Sequence, residues 1–125
     1  MDLIRDLLLR IEAMPMRAGE AYLLESNRPP LAAPGDDPDS IYYNMKLLRG
    51  AGYLALTPTQ PALGFGLTGL TWQGHEFLDA VRDPEIWRKT KEGASKAGGF
   101  TVGLLADLAK GFVRTQIQKH TGVEL

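Results

Sequence analysis

Residues 40–54, SIYYNMKLLRGAGYL, decide the fold, because an amphipathic helix here leads directly into a strand-like segment. Three apolar residues fall at i, i+4 and i+7 and therefore share one helical face that is expected in the core: Ile41, Met45 and Leu48. Asp39 or Ser40 can cap the first turn, and the glycines at 50 and 52 suit its end.

A β-hairpin is predicted immediately after this helix. Residues 53–57, YLALT, are typical of a strand, and residues 66–72, GLTGLTW, are typical of the strand that returns. The intervening prolines and glycines of residues 58–66, PTQPALGFG, form the turn.

The segments before the central helix predict one helix, one strand and a loop. The first 13 residues carry apolar side chains at helical spacing, namely Leu3, Ile4, Leu7, Leu8 and Ile11, and Pro15 ends that helix. Residues 17–25 are interpreted as a single strand or an extended stretch. The four prolines of residues 26–40 indicate a loop.

Helical segments follow the hairpin to the end of the chain. Thr71 can cap a helix over residues 72–83, which Pro84 interrupts or restarts before it continues towards the pair Gly98–Gly99. A last helix is expected from about Thr101 to His120, with Leu105, Leu108, Phe112 and Ile117 on one side and Asp107, Lys110, Arg114 and Gln118 on the other.

The predicted fold class is α+β and mostly helical. The order helix, strand, helix, hairpin, helix is the order of a winged helix-turn-helix domain, in which the second helix is presented outward and the hairpin forms the wing. Residues 1–92 are interpreted as this domain. Residues 93–125 are interpreted as a helical extension that packs on it or mediates homodimerisation.

Composition limits the class of protein further. With 125 residues, no cysteine and no long apolar run, the chain is expected to be one cytoplasmic, soluble domain without disulfides, thiolate metal sites or a membrane-spanning helix. The net charge is −1, but residues 1–83 carry −4 and residues 84–125 carry +3. The basic end can attract an anionic partner or can simply be a solvated helix surface.

Three passages over residues 1–92 resemble an uncharacterised family of bacterial and phage proteins, domain of unknown function 2513. They are MDLIRDLLLRIE at the start, SIYYNMKLLRGAGYL in the centre, and LTWQGHEFLDAVRDPEIWRKTKE from Leu70. The resemblance implies a winged-helix-like fold and carries no demonstrated activity. Asn44 departs from the family pattern, which usually has a histidine there.

The leading functional hypothesis is DNA binding by the central helix, as in a phage or prophage regulator of transcription. Tyr42, Lys46 and Arg49 form an outward stripe with Tyr43 beside it, and such side chains contact base edges and phosphates in helix-turn-helix proteins. The alternative is an ordinary solvated face. A dimer through the last helix would place two such helices on one duplex.

The rival hypothesis is a protein–protein interaction module that docks on a host or phage protein. Residues 55–69 contain no lysine or arginine, so the wing offers no cation to phosphate, whereas Leu63, Phe65 and Leu67 would form an apolar surface. The alternative is that Phe65 folds back onto the sheet.

Neither metal binding nor catalysis is expected. His75 and Asp79 are spaced i, i+4 beside Glu76, but a zinc protease motif needs a second histidine where Asp79 stands, and no phosphate-binding loop or nucleophile–base arrangement is present. No cofactor is predicted. The last helix is amphipathic and basic, so core packing, self-association and attachment to an anionic membrane remain alternatives, with membrane the least favoured.

Overall fold

A computed structural model describes residues 2–15, 17–98 and 101–121, with the side chains of 120 and 121 left aside. The chain divides into two compact units, with the boundary between His75 and Glu76. The first holds α1 (Asp2–Glu12), β1 (Tyr22–Leu24), α2 (Pro38–Gly50), β2 (Leu54–Leu56), β3 (Phe65–Leu70) and the start of α3 (Trp72–Val81); the second holds the rest of α3, α4 (Pro84–Lys96) and α5 (Val102–Thr121). The predicted α+β, mostly helical class is confirmed.

The strands form one antiparallel sheet in the order β1-β3-β2. The predicted hairpin is therefore present, and the single early strand joins it by pairing Tyr22 with Leu67 on the central strand. On the other side Leu54 pairs with Leu70, and the register shifts after Ala55. The helix, strand, helix, hairpin and helix follow one another as predicted.

The core of the first unit contains the predicted apolar faces of α1 and α2, and it also buries Leu31 together with Phe65 and Leu67 of the predicted wing surface. Helix α1 packs on α2 and on β3. The fully buried side chains include Ile4, Leu7, Leu8, Leu31, Ile41, Met45, Leu48, Phe65 and Leu67. Each aliphatic side chain of this kind contributes about 1.5–3 kcal/mol by leaving water.

Helix α2 begins earlier than predicted, and Asp37 caps it in place of Asp39 or Ser40. The Asp37 carboxylate accepts hydrogen bonds from the backbone N–H groups of Asp39 and Ser40, at 3.4 and 3.3 Å. Pro38 occupies the first helical position, where its fixed φ and missing N–H cost nothing. This cap orients the first turn of the helix.

A clamp from α1 orders the proline-rich loop before α2. The Arg10 guanidinium donates from Nη1 to the Leu31 carbonyl at 2.6 Å and to Asp36 Oδ2 at 2.7 Å. The same carboxylate oxygen accepts from the backbone N–H of Ala33 at 3.1 Å, and the Leu31 side chain is fully buried. The loop is therefore attached to the core by one apolar anchor and one charged group.

This clamp predicts a loss of stability in acid. The Ala33 N–H and the Arg10 guanidinium hold the pKa of Asp36 below its ordinary value. A carboxyl with a lowered folded-state pKa stabilises the protein fully above its unfolded pKa of about 3.9 and loses that contribution as the pH falls further. We expect Asp36→Asn to melt at a lower temperature than the wild type at pH 7. Thermal melts at lower pH should show that difference shrinking, and a difference independent of pH would contradict the clamp.

In the second unit, Pro84 restarts the chain as a new helix. The Asp83 carboxylate accepts from the Glu85 N–H at 2.8 Å and caps α4, which packs on α5. The sequence-based boundary at residue 92 differs from the observed division because α4 belongs with α5. Gly98 has a φ of +76° at the predicted break, and Gly99 lies outside the described residues.

Helix α5 changes character along its length. Its first half buries Val102, Leu105, Ala106 and Ala109, whereas Phe112 is half-buried and Ile117 is 39% exposed. Of the predicted polar side chains, Asp107, Lys110 and Arg114 are exposed, and Gln118 is half-buried. None of the helices in the described part of the chain is both long enough and apolar enough to cross a bilayer.

Candidate docking surface

The exposed side of α2 carries the residues that the sequence predicts to face outward. Tyr42 is 39% exposed and Tyr43 is 62% exposed. Lys46 is exposed one turn later, and Arg49 is half-buried at the end of the helix. We call these four residues the α2 face.

Part of the α2 face is stacked on the sheet. The Tyr42 ring lies 5.4 Å from the Phe65 ring, between centroids, and Arg49 Cζ lies 5.3 Å from the Phe65 centroid. Lys46 Nζ lies 5.8 Å from the Tyr42 centroid. Cations within about 6 Å of an aromatic face are attracted by its quadrupole. Tyr42 and Arg49 therefore have a structural role, which leaves Tyr43 and Lys46 as the most accessible members.

The predicted apolar wing surface of Leu63, Phe65 and Leu67 is wrong for two of its three members. Phe65 and Leu67 are fully buried, whereas Leu63 is 81% exposed. Gly64 has a φ of +87°, so the alternation of a strand begins only after it. The exposed apolar residue of this loop is Leu63.

The loop over residues 57–64 is held by a side-chain amide. Gln60 Nε2 donates to the carbonyl oxygens of Thr57 and Gly66, both at 3.0 Å. In return, the Gly66 N–H donates to Gln60 Oε1 at 3.1 Å. A Cβ placed on Gly64 would lie 2.6 Å from the Leu24 carbonyl oxygen, so the backbones approach closely there. Leu63 thus lies between two fixed points.

An open groove of about 410 Å³ lies between this loop and the start of α2. Its lining residues come from three parts of the first unit: Glu25, Ser26, Asn27, Pro38, Asp39, Tyr42, Leu63 and Gly64. We call this the α2–loop groove. Tyr42 and Leu63 are apolar members of this lining, and we call its two carboxylates, Glu25 and Asp39, the rim of the groove.

The charged residues that line the groove are two acids, Glu25 and Asp39. Residues 25–64 contain four acids and three cations. Asp36 and Asp37 are engaged with their own backbone neighbours, and Glu25 pairs with Arg28 at 3.2 Å on the surface. Within the described residues no cation pairs with the exposed Asp39 carboxylate. The groove lining itself includes no lysine or arginine.

The acids considered for metal binding take part in surface ion pairs. Asp79 Oδ1 accepts from Arg82 Nη2 at 2.7 Å, and Glu76 lies 3.9 Å from Lys110 Nζ. Across the described ranges, no three histidine, aspartate or glutamate side chains lie together in a way that could hold a metal ion.

Of the eight residues that line the groove, sequence reasoning singled out only Tyr42 and Leu63 as binding residues. Glu25, Asn27 and Asp39 lie in or beside a proline-rich loop, where no periodicity indicates which side chains face a common space. The clue that was available is Leu31, an isolated leucine among prolines, which the structure buries as the anchor of that loop.

The fold and this surface define a small α+β protein that presents one helix face beside a rigid loop. Residues 1–100 match the model of the family described as "Hypothetical protein (DUF2513)", and the chain belongs to that family. An uncharacterized protein of Haemophilus influenzae is 33% identical over 92 residues, which cover 72% of each chain. No solved structure shows a significant match.

Proposed function

We propose that residues 2–75 form a non-catalytic, cytoplasmic binding module of the winged-helix type. It docks a host or phage protein on the α2 face and the α2–loop groove. The observation that carries this proposal is Leu63, a leucine that is 81% exposed on a loop held in place at both ends.

Leu63 fits the role of an interface anchor because its position is already ordered. A large apolar side chain in water contributes nothing to folding, whereas its burial by a partner removes apolar surface from water. Holding the loop in one conformation reduces the entropy lost on association. Tyr42 lines the same groove as Leu63, and Tyr43 follows it on α2 with 62% of its surface exposed. Tyrosine is enriched among the residues that dominate binding energies.

The charge distribution favours a protein partner over a nucleic acid. DNA binding depends strongly on cations that neutralise phosphates. The loop over residues 57–64 contains no lysine or arginine, Arg49 is half-buried against Phe65, and the groove rim carries carboxylates. The carboxylates would repel a phosphate backbone, and few cations are left to attract one. Neither feature would hinder contact with a protein.

The docking proposal is tested by changing Leu63 to aspartate. We expect Leu63→Asp to keep its melting temperature within a few degrees of the wild type, because surface changes alter stability by only about 0.5 kcal/mol. Recovery of the partner protein with an affinity-tagged chain should fall at least about tenfold, the equivalent of 1.4 kcal/mol.

Leu23→Asp is the matched control for that experiment. Leu23 is 59% exposed on β1 and lines a different cavity, together with Tyr22 and Gln60. Equal recovery of the partner by the wild type and Leu63→Asp would refute the proposed surface. Equal losses in both leucine variants would indicate a general effect of the added charge and would refute it as well.

DNA binding remains a second candidate because of where α2 lies in the chain. It falls between β1 and the β2–β3 hairpin, the position at which winged-helix proteins carry their recognition helix, and it presents Tyr42, Tyr43, Lys46 and Arg49 on one side. A duplex titration at about 50 and 200 mM salt distinguishes the two candidates. Affinity that falls steeply with salt and weakens in Lys46→Ala would favour DNA over a protein.

A further inference from the structure

We propose that the α2–loop groove binds a segment of the partner protein in which an aliphatic side chain stands next to a lysine or arginine. This inference rests on the proposed docking function and adds the chemistry of the occupant. It follows from the two kinds of group that line the groove, which are apolar on the walls and anionic on the rim.

The walls fit an aliphatic side chain. Leu63 of the fixed loop, Tyr42 of α2 and Pro38 at the start of that helix all line the groove, and Leu63 is 81% exposed. The volume of about 410 Å³ lies within the range of about 300–1,000 Å³ that is typical of small-ligand sites, so one side chain and part of its neighbours can enter. Burial of apolar surface on both sides would drive this contact.

The rim selects a cation beside that side chain. The Asp39 carboxylate is exposed at the groove, and no cation among the described residues pairs with it. Glu25 adds a second carboxylate, and its surface pair with Arg28 at 3.2 Å leaves it 39% exposed. Lys46 Nζ lies 5.8 Å from the centroid of the Tyr42 ring, and Lys46 is not one of the lining residues. An anionic occupant would therefore meet two carboxylates and no cation in the groove.

The test is a titration of the ¹⁵N-labelled full chain with each of three synthetic heptapeptides. The NMR chemical shifts of the backbone amides report binding. Each peptide has a central leucine, which is flanked by lysine and arginine, by two serines, or by two glutamates. We expect the cationic peptide to shift the amides of Asp39, Tyr42 and Gly64. Its affinity should exceed that of the serine peptide by about two- to fivefold, the usual size of an exposed ion pair, and that of the glutamate peptide by more.

Substitution of the rim carboxylate gives the second measurement. Asp39→Asn should reduce the preference for the cationic peptide over the serine peptide to nearly one, and Asp39→Glu should retain it. Asp107→Asn removes the same charge from an exposed site on α5 and should leave the preference unchanged. Loss of the preference in Asp107→Asn as well would overturn the role of the rim.

The outcomes separate this inference from the proposed function. Equal binding of all three peptides would overturn the inference that the occupant is cationic. If Leu63→Asp nevertheless abolishes recovery of the partner, the proposed docking function still holds. No amide shift with any peptide would overturn the inference altogether. Shifts at the same amides on raising the protein concentration alone would assign the groove to a second copy of the chain, and would overturn it too.

Discussion

Replacing Phe65 by alanine is expected to lower the free energy of unfolding by about 3–5 kcal/mol. The side chain is fully buried at the start of β3, and its removal leaves a cavity that the surrounding sheet and helices can fill only in part. Its ring is also the surface on which Tyr42 and Arg49 stack, at 5.4 and 5.3 Å. The substitution therefore removes core packing and the support of the α2 face together.

Urea denaturation followed by circular dichroism measures this effect. Leu63→Ala, two residues earlier, is the matched control, because Leu63 is 81% exposed and should change the free energy of unfolding by no more than about 0.5 kcal/mol. Similar losses in the two variants would contradict the buried and exposed assignments of this loop.

Gly74→Ala is expected to destabilise the protein by about 3 kcal/mol. A Cβ at this position of α3 would lie 2.3 Å from the carbonyl oxygen of Tyr53 and 3.2 Å from its carbonyl carbon. Backbone atoms cannot move away as a flexible side chain can, because the same carbonyl accepts the Thr71 N–H at 3.0 Å. The clash should outweigh the gain of up to about 1 kcal/mol that alanine has over glycine in a helix.

Gly111→Ala is the control with the opposite expected sign. Gly111 lies inside α5, and an added Cβ there would have no tertiary neighbour within 4 Å among the residues that the structure describes. The same change should therefore raise the free energy of unfolding by up to about 1 kcal/mol, because alanine has the higher helix propensity, and the melting temperature should rise with it. A Gly74→Ala protein as stable as the wild type would show that α3 and the Tyr53 backbone do not approach as closely as described.

The elements of the first unit were largely predictable because local signals agree with tertiary packing there. In α2 the spacing of Ile41, Met45 and Leu48 places three buried side chains on one face. The start of the helix was misplaced by about two residues because Asp37, Asp39 and Ser40 are all good capping residues. Pro38 is the signal that distinguishes them, since proline is favoured at the first helical position and therefore points to Asp37 as the cap.

The hairpin loop could not be predicted at the level of single side chains. Leu63, Phe65 and Leu67 alternate in sequence, which places all three on one face of any continuous strand. The strand in fact starts at Phe65, because Gly64 takes a positive φ close to the Leu24 backbone. That approach depends on β1, which is about 40 residues earlier in the chain, so no local pattern contains it.

The remaining features that the sequence does not predict are formed by residues that meet only after folding. The clamp joins Arg10 to Asp36, and the rim of the groove brings together Glu25 and Asp39. Both features join segments without a shared periodicity. The Gln60 amide that holds the loop over residues 57–64 has no sequence signature of its own, because it hydrogen-bonds to backbone groups of Thr57 and Gly66. The exposed α2 face was accessible to sequence analysis because helical spacing alone assigns it.

Site-specific photo-crosslinking in cells tests the docking claim most directly. A benzophenone amino acid would replace Tyr43 on the α2 face, Leu63 in the loop over residues 57–64, or the exposed Lys89 on α4 as a control. The account predicts that positions 43 and 63 crosslink to the same protein, and that position 89 does not. A protein that is captured from position 89 but from neither 43 nor 63 would contradict it.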